Sequence, residues 1–264
     1  MVPVSAMVSI VIAFAALLVF PVVLLLVLCL KRKISPKPMW LGFAAFFVSQ
    51  ICLRLPILQA LGSTAWFKAF AFQTVPYAVT IAFTAGLFEE TARYLCVRFF
   101  LKRQRAFRDA VAFGLGHGFC ETILLAGLAE VNNLIYAVMI NSGTFQAVSA
   151  AMPAATYQQI LHTLLAASTA GSFYIAIWER VSAVLFHLFA TALIFRGVKT
   201  GKIRYYFFAL AAHTVMDSAS VLLMKYSNVW ITESALFVFS LLGLLYLWKV
   251  RPHWDSEPSA KLCA

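Results

Sequence analysis

Charge is scarce in this chain, and acid is scarcer than base. Of 264 residues 12% are charged, with 10 Asp and Glu against 21 Lys and Arg. With 62% hydrophobic residues and a mean hydropathy of +0.87, this scarcity excludes a soluble globule carrying one anchor and defines a polytopic membrane protein. The excess of base does not imply nucleic acid as a partner, because the Lys and Arg cluster at the ends of apolar runs. That is the positive-inside pattern, and the partner it implies is the lipid bilayer. Cysteine pairing is absent too: Cys29, Cys52, Cys96, Cys120 and Cys263 show no metal-ligand spacing, which argues against a disulfide framework or a thiolate zinc site. No Lys or Arg precedes the apolar run from Ala6 to Leu30, and Lys31, Arg32 and Lys33 follow it directly. A cleavable signal peptide has the reverse order of charge, so the run is expected to be a retained first span with its N-terminus outside. No long repeat, low-complexity tract or soluble domain is visible.

Apolar windows between basic flanks predict spans near 6–30, 41–61, 69–98, 110–129, 173–196, 203–224 and 229–249. The predicted fold is therefore an all-α bundle of about seven transmembrane helices forming one domain over 1–251. Lys31 to Lys37, Arg98 to Arg108, Arg196 to Arg204, and Lys249 with Arg251 then fall on one side, giving a cytosolic C-terminus. The stretch 131–172 carries no charge, and its Gln158, Gln159 and His162 argue against a second crossing; it is expected to form a helical insert along the outer face. Residues 252–264 read as a short polar cytosolic tail, expected to be disordered.

Within these spans four ionisable groups share one depth. Glu89 lies nine residues before Arg98, His117 nine after Arg108, His187 nine before Arg196, and His213 nine after Arg204. Nine helical residues rise about 13–14 Å, near the middle of a hydrocarbon core about 30 Å thick. Ionisable groups at that depth face the protein interior and mark a functional site by default.

Three of the four have an ionisable neighbour one helical turn away. Glu89 and Glu90 share a turn with Arg93, which can hold one acid ionised while the other exchanges a proton as a general base. The alternative is an ion pair that locks the helix to its neighbour. His117 is followed one turn on by Glu121, a carboxylate placed to orient the imidazole, and Gly114, Gly116 and Gly118 permit close helix approach. His213 is followed by Asp217 in the same way. Arg54 beside Pro56 reads as a snorkelling residue at a kink, and Glu179 with Arg180 as an ion pair or an entrance lining.

The sequence EExxR at Glu89 to Arg93, FxxxH at Phe113 to His117, the isolated His187, and HxxxD at His213 to Asp217 occur in the order of the glutamate-dependent intramembrane proteases. That superfamily includes the prenyl-protein CAAX endopeptidases with their bacterial relatives and the PrsW site-one proteases. Over about residues 70–225 the chain resembles the bacterial YhfC family of intramembrane metalloproteases, whose pattern includes the Gly-rich stretch before Glu121 and the Glu179-Arg180 pair. CAAX endopeptidases space their Arg one residue further and often end in HxxxN, so the resemblance does not extend to prenylated substrates. The gamma-secretase scaffold subunit shares the superfamily without being a protease, so fold membership alone does not imply catalysis.

The resemblance implies an intramembrane peptidase acting on a membrane-protein or peptide substrate, in a bacterial plasma membrane. Glu89 or Glu90 would activate water and Arg93 would hold the acid pair. His187 and His213 would stabilise the oxyanion, with His117, Glu121 and Asp217 completing the polar cavity. His117, His187 and His213 are the candidate ligands should a metal, zinc by this chemistry, be used. The alternatives are a non-catalytic scaffold or chaperone and, third, a proton-coupled transporter.

Overall fold

A computed structural model describes residues 1–150, 152–165, 169–254 and 256, and among them every regular element is helical. In chain order these are α1 (Val4–Leu30), α2 (Pro36–Gly62), α3 (Ala65–Ala71), α4 (Thr74–Phe100) and α5 (Phe107–Ser142). They continue as α6 (Gln146–Ser149), α7 (Ala154–Leu165), α8 (Thr169–Thr200), α9 (Arg204–Tyr226) and α10 (Val229–Val250). Six helices are long and apolar enough to cross a membrane, and the count reaches seven when α3 and α4, bent by 109°, are taken as one span. The acids and Arg that α4 carries at Glu89, Glu90 and Arg93 lower its apolar character.

Local chemistry sets many helix ends. Pro36 opens α2, where its missing N–H costs no hydrogen bond. Asn228 caps α10 by accepting from the Ile231 amide at 3.1 Å. Gly143 and Gly201, with φ of 75° and 70°, follow α5 and α8 in the left-handed conformation that stops a helix. Widened π turns interrupt α1 at Ala15–Val19 and α2 at Phe47–Arg54, each ending just before a proline, Pro21 or Pro56. A proline cannot donate to the carbonyl four residues back, and a widened turn is the local accommodation. Similar turns at Cys96–Phe100 and Thr122–Gly127 have no proline beside them.

The chain divides into two compact units, Met1–Leu24 with Glu121–Arg180, and Leu25–Cys120 with Val181–Ala264. The first unit is built on Val2, Ala6, Ile10, Ala13, Leu17, Ala137, Leu164 and Phe173. It contains the whole stretch 131–172 expected as an outer-face insert. α5 runs through the widened turn at Thr122–Gly127 to Ser142 rather than ending near residue 129. Only α6, α7 and the start of α8 form the rest of the segment. Position 151 and residues 166–168 lie outside the described residues, as do 255 and 257–264 of the expected tail.

The second unit carries the larger core, around Phe113, Phe195, Ile194, Val97 and Leu101. The expectation of disorder from Pro252 does not hold at the start of the tail. Trp254 is buried, donates from its indole to the Arg105 carbonyl at 2.9 Å, stacks edge-on against Phe107, and accepts from Lys199 through its own carbonyl.

α5 threads this unit at backbone distance from its neighbours. A Cβ on Gly116 would sit 2.0 Å from the Met39 carbonyl oxygen, and one on Gly42 2.1 Å from that of Phe113, so α2 and α5 touch main chain to main chain. Gly86 makes room on α4 for side chains of α9, less tightly, since a Cβ there would meet His213 Cβ at 3.1 Å.

Candidate active site

The close approaches made by Gly42, Gly86 and Gly116 bring polar residues from α2, α4, α5, α8 and α9 into one buried cluster in the second unit. Arg93 lies at its centre, fully buried. Its Nη1 donates to Glu90 Oε1 at 2.6 Å, and its Nη2 lies 3.1 Å from Glu89 Oε2 and 2.7 Å from His187 Nδ1. Its Nε points at His117 Nδ1 at a longer 3.4 Å. Guanidinium only donates, so the Nδ1 atoms of His187 and His117 must accept, and each ring carries its proton on Nε2. His117 Nε2 in turn donates to Glu89 Oε2 at 2.9 Å. One arginine thereby fixes two imidazole tautomers and two carboxylates.

The two acids differ in their surroundings. Glu90 is fully buried; its Oε1 also accepts from His213 Nδ1 at 2.8 Å, while its Oε2 has no protein partner. Glu89 holds His117 and Arg93 on Oε2 and Gln50 Nε2 on Oε1 at 2.9 Å. Its Oε1 faces His213 Nε2 at 3.9 Å, and that nitrogen lies 3.5 Å from Asp217 Oδ2. Side-chain exposure is 0% at Glu90, 3% at His213 and 6% at Glu89, so all three are buried, and it reaches 39% only at Asp217, on the far side of His213. Phe46 and Phe186 set ring edges or faces against His117 and His213 with centroids 5.3 Å away in each case, walling the imidazoles with apolar surface.

Seven of the eight residues read from the sequence lie in this unit, and Glu89, Glu90, Arg93, His117, His187 and His213 meet directly. Asp217 stands at the margin: Glu90, rather than Asp217, makes the short bond to His213. Glu121 belongs to the other unit, where Arg180 donates to it through Nη1 at 2.7 Å and to Glu179 through Nη2. The orienting role expected of Glu121 falls to Glu89 and Arg93, which engage both nitrogens of His117. Gln50 was missed, and Arg54, expected to snorkel, instead donates to Gln50 and to the Ile81 carbonyl. Gln50 is uncharged and lies thirteen residues past Lys37, outside the nine-residue register that drew attention to the other groups. The available signal was its i, i+4 relation to Arg54 within an apolar span.

Glu89, His117 and His187 are all buried and offer donor atoms within 4.8 Å of one another, a group compatible with a metal such as zinc. His213, expected as the third imidazole ligand, is not in that group, and a carboxylate takes its place. Two imidazoles and a carboxylate are a known ligand set for zinc with an open position. A ligating imidazole usually donates its other N–H to an acceptor, whereas here the other nitrogens of His117 and His187 face a donor, Arg93. Loading the group therefore requires the guanidinium to withdraw.

The chain is thus an all-helical, polytopic membrane protein with a buried Glu/His/Arg centre, and comparison with known sequences places it in a family. The family described as YhfC intramembrane metalloprotease matches residues 15–236, and the chain belongs to that family. It is 31% identical over 213 residues to the uncharacterized membrane protein YhfC of Bacillus subtilis (strain 168), covering 76% of this chain and 79% of the relative. No solved structure matches the chain significantly.

Proposed function

We propose that this protein is an intramembrane peptidase of the bacterial plasma membrane that hydrolyses a peptide bond of a membrane protein or peptide, with Glu89 as the general base. The observation carrying this reading is the setting of the Glu89 carboxylate, its Oε2 held by His117 and Arg93 and its Oε1 facing His213 Nε2 on the side of the cluster nearer Asp217. Glu90, sealed and shared between Arg93 and His213, serves as the fixed counter-charge.

In this mechanism a water beside Glu89 Oε1 gives its proton to the carboxylate as it attacks the scissile carbonyl carbon. His187 is the donor for the developing oxyanion, because Arg93 occupies its Nδ1 and leaves the proton on Nε2. His213, oriented by Glu90, is the second polar group on that side. As the tetrahedral intermediate collapses, Glu89 returns the proton to the leaving amide nitrogen and the C–N bond breaks. Donors fixed in a water-poor site need no reorganisation during reaction; removing one typically costs about 10²–10³ in rate. Were a metal bound, Glu89, His117 and His187 would hold it, and it would polarise the carbonyl and acidify bound water. Arg93, seated among these groups, supports the glutamate-type reading.

The test is cleavage of membrane peptides by the purified protein in liposomes. Glu89→Gln should abolish turnover while the protein remains folded. Full turnover in Glu89→Gln would overturn the assignment. The same interlocked bonds could serve a non-catalytic scaffold, and no cleavage by wild type, with stability losses tracking each deleted hydrogen bond, would select that role.

A further inference from the structure

The geometry points to Gln50 and Arg54 as a positioning relay for Glu89, in which Arg54 fixes the polarity of the Gln50 amide and that amide fixes the carboxylate. This assignment rests on the reading of Glu89 as the base. Both residues lie in the π-helical stretch Phe47–Arg54 of α2, and Gln50 is 5% exposed.

The relay follows from which groups can donate. Gln50 Nε2 donates to Glu89 Oε1 at 2.9 Å, with the Ala85 carbonyl a longer 3.4 Å away. Its Oε1 accepts from Arg54 Nη1 at 3.0 Å. The two ends of a glutamine amide are nearly the same size, so a half-turn of the group would fit sterically and would set its oxygen against the Glu89 carboxylate. Arg54 prevents this, because it has donors only and accepts nothing. Its own position is fixed by Nη2 donating to the Ile81 carbonyl at 2.8 Å and Nε to Thr84 Oγ1 at 3.3 Å, both on α4. Arg54 therefore does not snorkel to the interface, as its place near a span end implied; it turns onto the helix that carries the acids.

The consequence lies at one atom. Glu89 Oε2 has His117 and Arg93, whereas Oε1 has Gln50 on one side and the 3.9 Å gap to His213 Nε2 on the other. Gln50 holds Oε1 towards that gap, where the reacting water belongs in the proposed mechanism. Without it the carboxylate can rotate about the bond it shares with His117. Arg54 makes no hydrogen bond to either carboxylate; apart from the direct attraction of its charge to Glu89 and Asp217, it reaches Glu89 through Gln50.

The experiment compares Gln50→Leu, Arg54→Met and the double variant, with Glu89→Gln alongside, using the peptide assay and thermal unfolding in detergent. The relay predicts that Gln50→Leu lowers kcat by about 10–100-fold with KM within about twofold, the size seen when groups supporting a reactive residue are removed. Arg54→Met should lower kcat in the same direction, and the double variant should be no slower than Gln50→Leu, because both changes break one chain. Losses that multiply in the double variant, or a loss carried by KM, would overturn the relay. A dead Glu89→Gln with Gln50→Leu at wild-type kcat would overturn it while leaving the base intact, whereas an active Glu89→Gln would remove the base itself. Unfolding supplies a readout independent of turnover. The coupling between Arg54→Met and Glu89→Gln should fall with Gln50→Leu to the remainder set by direct charge attraction; coupling unchanged without Gln50 would also overturn the relay.

Discussion

Arg93 Nη2 lies 2.7 Å from His187 Nδ1, and this single bond decides what the histidine can do. A guanidinium has no acceptor, so the imidazole presents its remaining proton from Nε2. Four partners, Glu89, Glu90, His117 and His187, share the five donors of one buried side chain.

Replacement of Arg93 tests that sharing. Lys offers three donors from one point and cannot reach four groups spread around a planar fork. Arg93→Lys should lose most turnover, and Arg93→Met should in addition destabilise the protein by about 3–5 kcal/mol, because two buried carboxylates lose their cation. Unfolding in detergent together with the peptide assay measures both; a Lys variant near wild-type turnover would show that the tautomer of His187 does not matter.

Chelation separates the two chemistries open to the Glu/His/His group. With Arg93 seated beside the imidazole Nδ1 atoms, a strong chelator is expected to leave cleavage unchanged and the purified protein to contain no stoichiometric zinc. Activity lost to the chelator and restored by zinc would instead place Glu89, His117 and His187 in the role of ligands, with Arg93 displaced.

Gly116 offers a test of the fold beneath the site. A methyl group there would lie 2.0 Å from the Met39 carbonyl, a backbone atom that cannot swing aside. Gly116→Ala should therefore push α2 from α5, destabilise by about 1–3 kcal/mol as overpacking does, and move the neighbouring His117. A lowered melting temperature accompanied by lowered kcat is the expected result. An unchanged melting temperature would mean that the two helices do not meet at this point.

Orientation follows from the distribution of basic residues. A reporter in the Lys102 to Arg105 loop or after Ala264 should read cytosolic, and one before Val2 external. Fusions that put both termini on one side would require an even number of crossings and a different path for the chain.

The sequence by itself determined the class of protein and the identity of most reactive groups. Hydropathy and the positions of Lys and Arg are one-dimensional quantities, and depth along a helix follows from the rise per residue. Glu89, His117, His187 and His213 could thus be grouped without any knowledge of helix contacts. The motifs at Glu89 to Arg93 and His213 to Asp217 were legible because i, i+3 and i+4 neighbours are fixed by local geometry. Tertiary structure alone decided which partners meet across helices: that Glu90 rather than Asp217 makes the short bond to His213, that Glu121 joins Arg180, that Glu89 engages His117 and Gln50, and that Gln50 and Arg54 turn inward. Those choices depend on the rotation of each helix about its axis and on how closely axes approach. Both are set by backbone contacts at Gly42 and Gly116, by the side chains of α9 packed on Gly86 and by the widened turn at Phe47–Arg54, whose consequences appear only when neighbouring helices are in place.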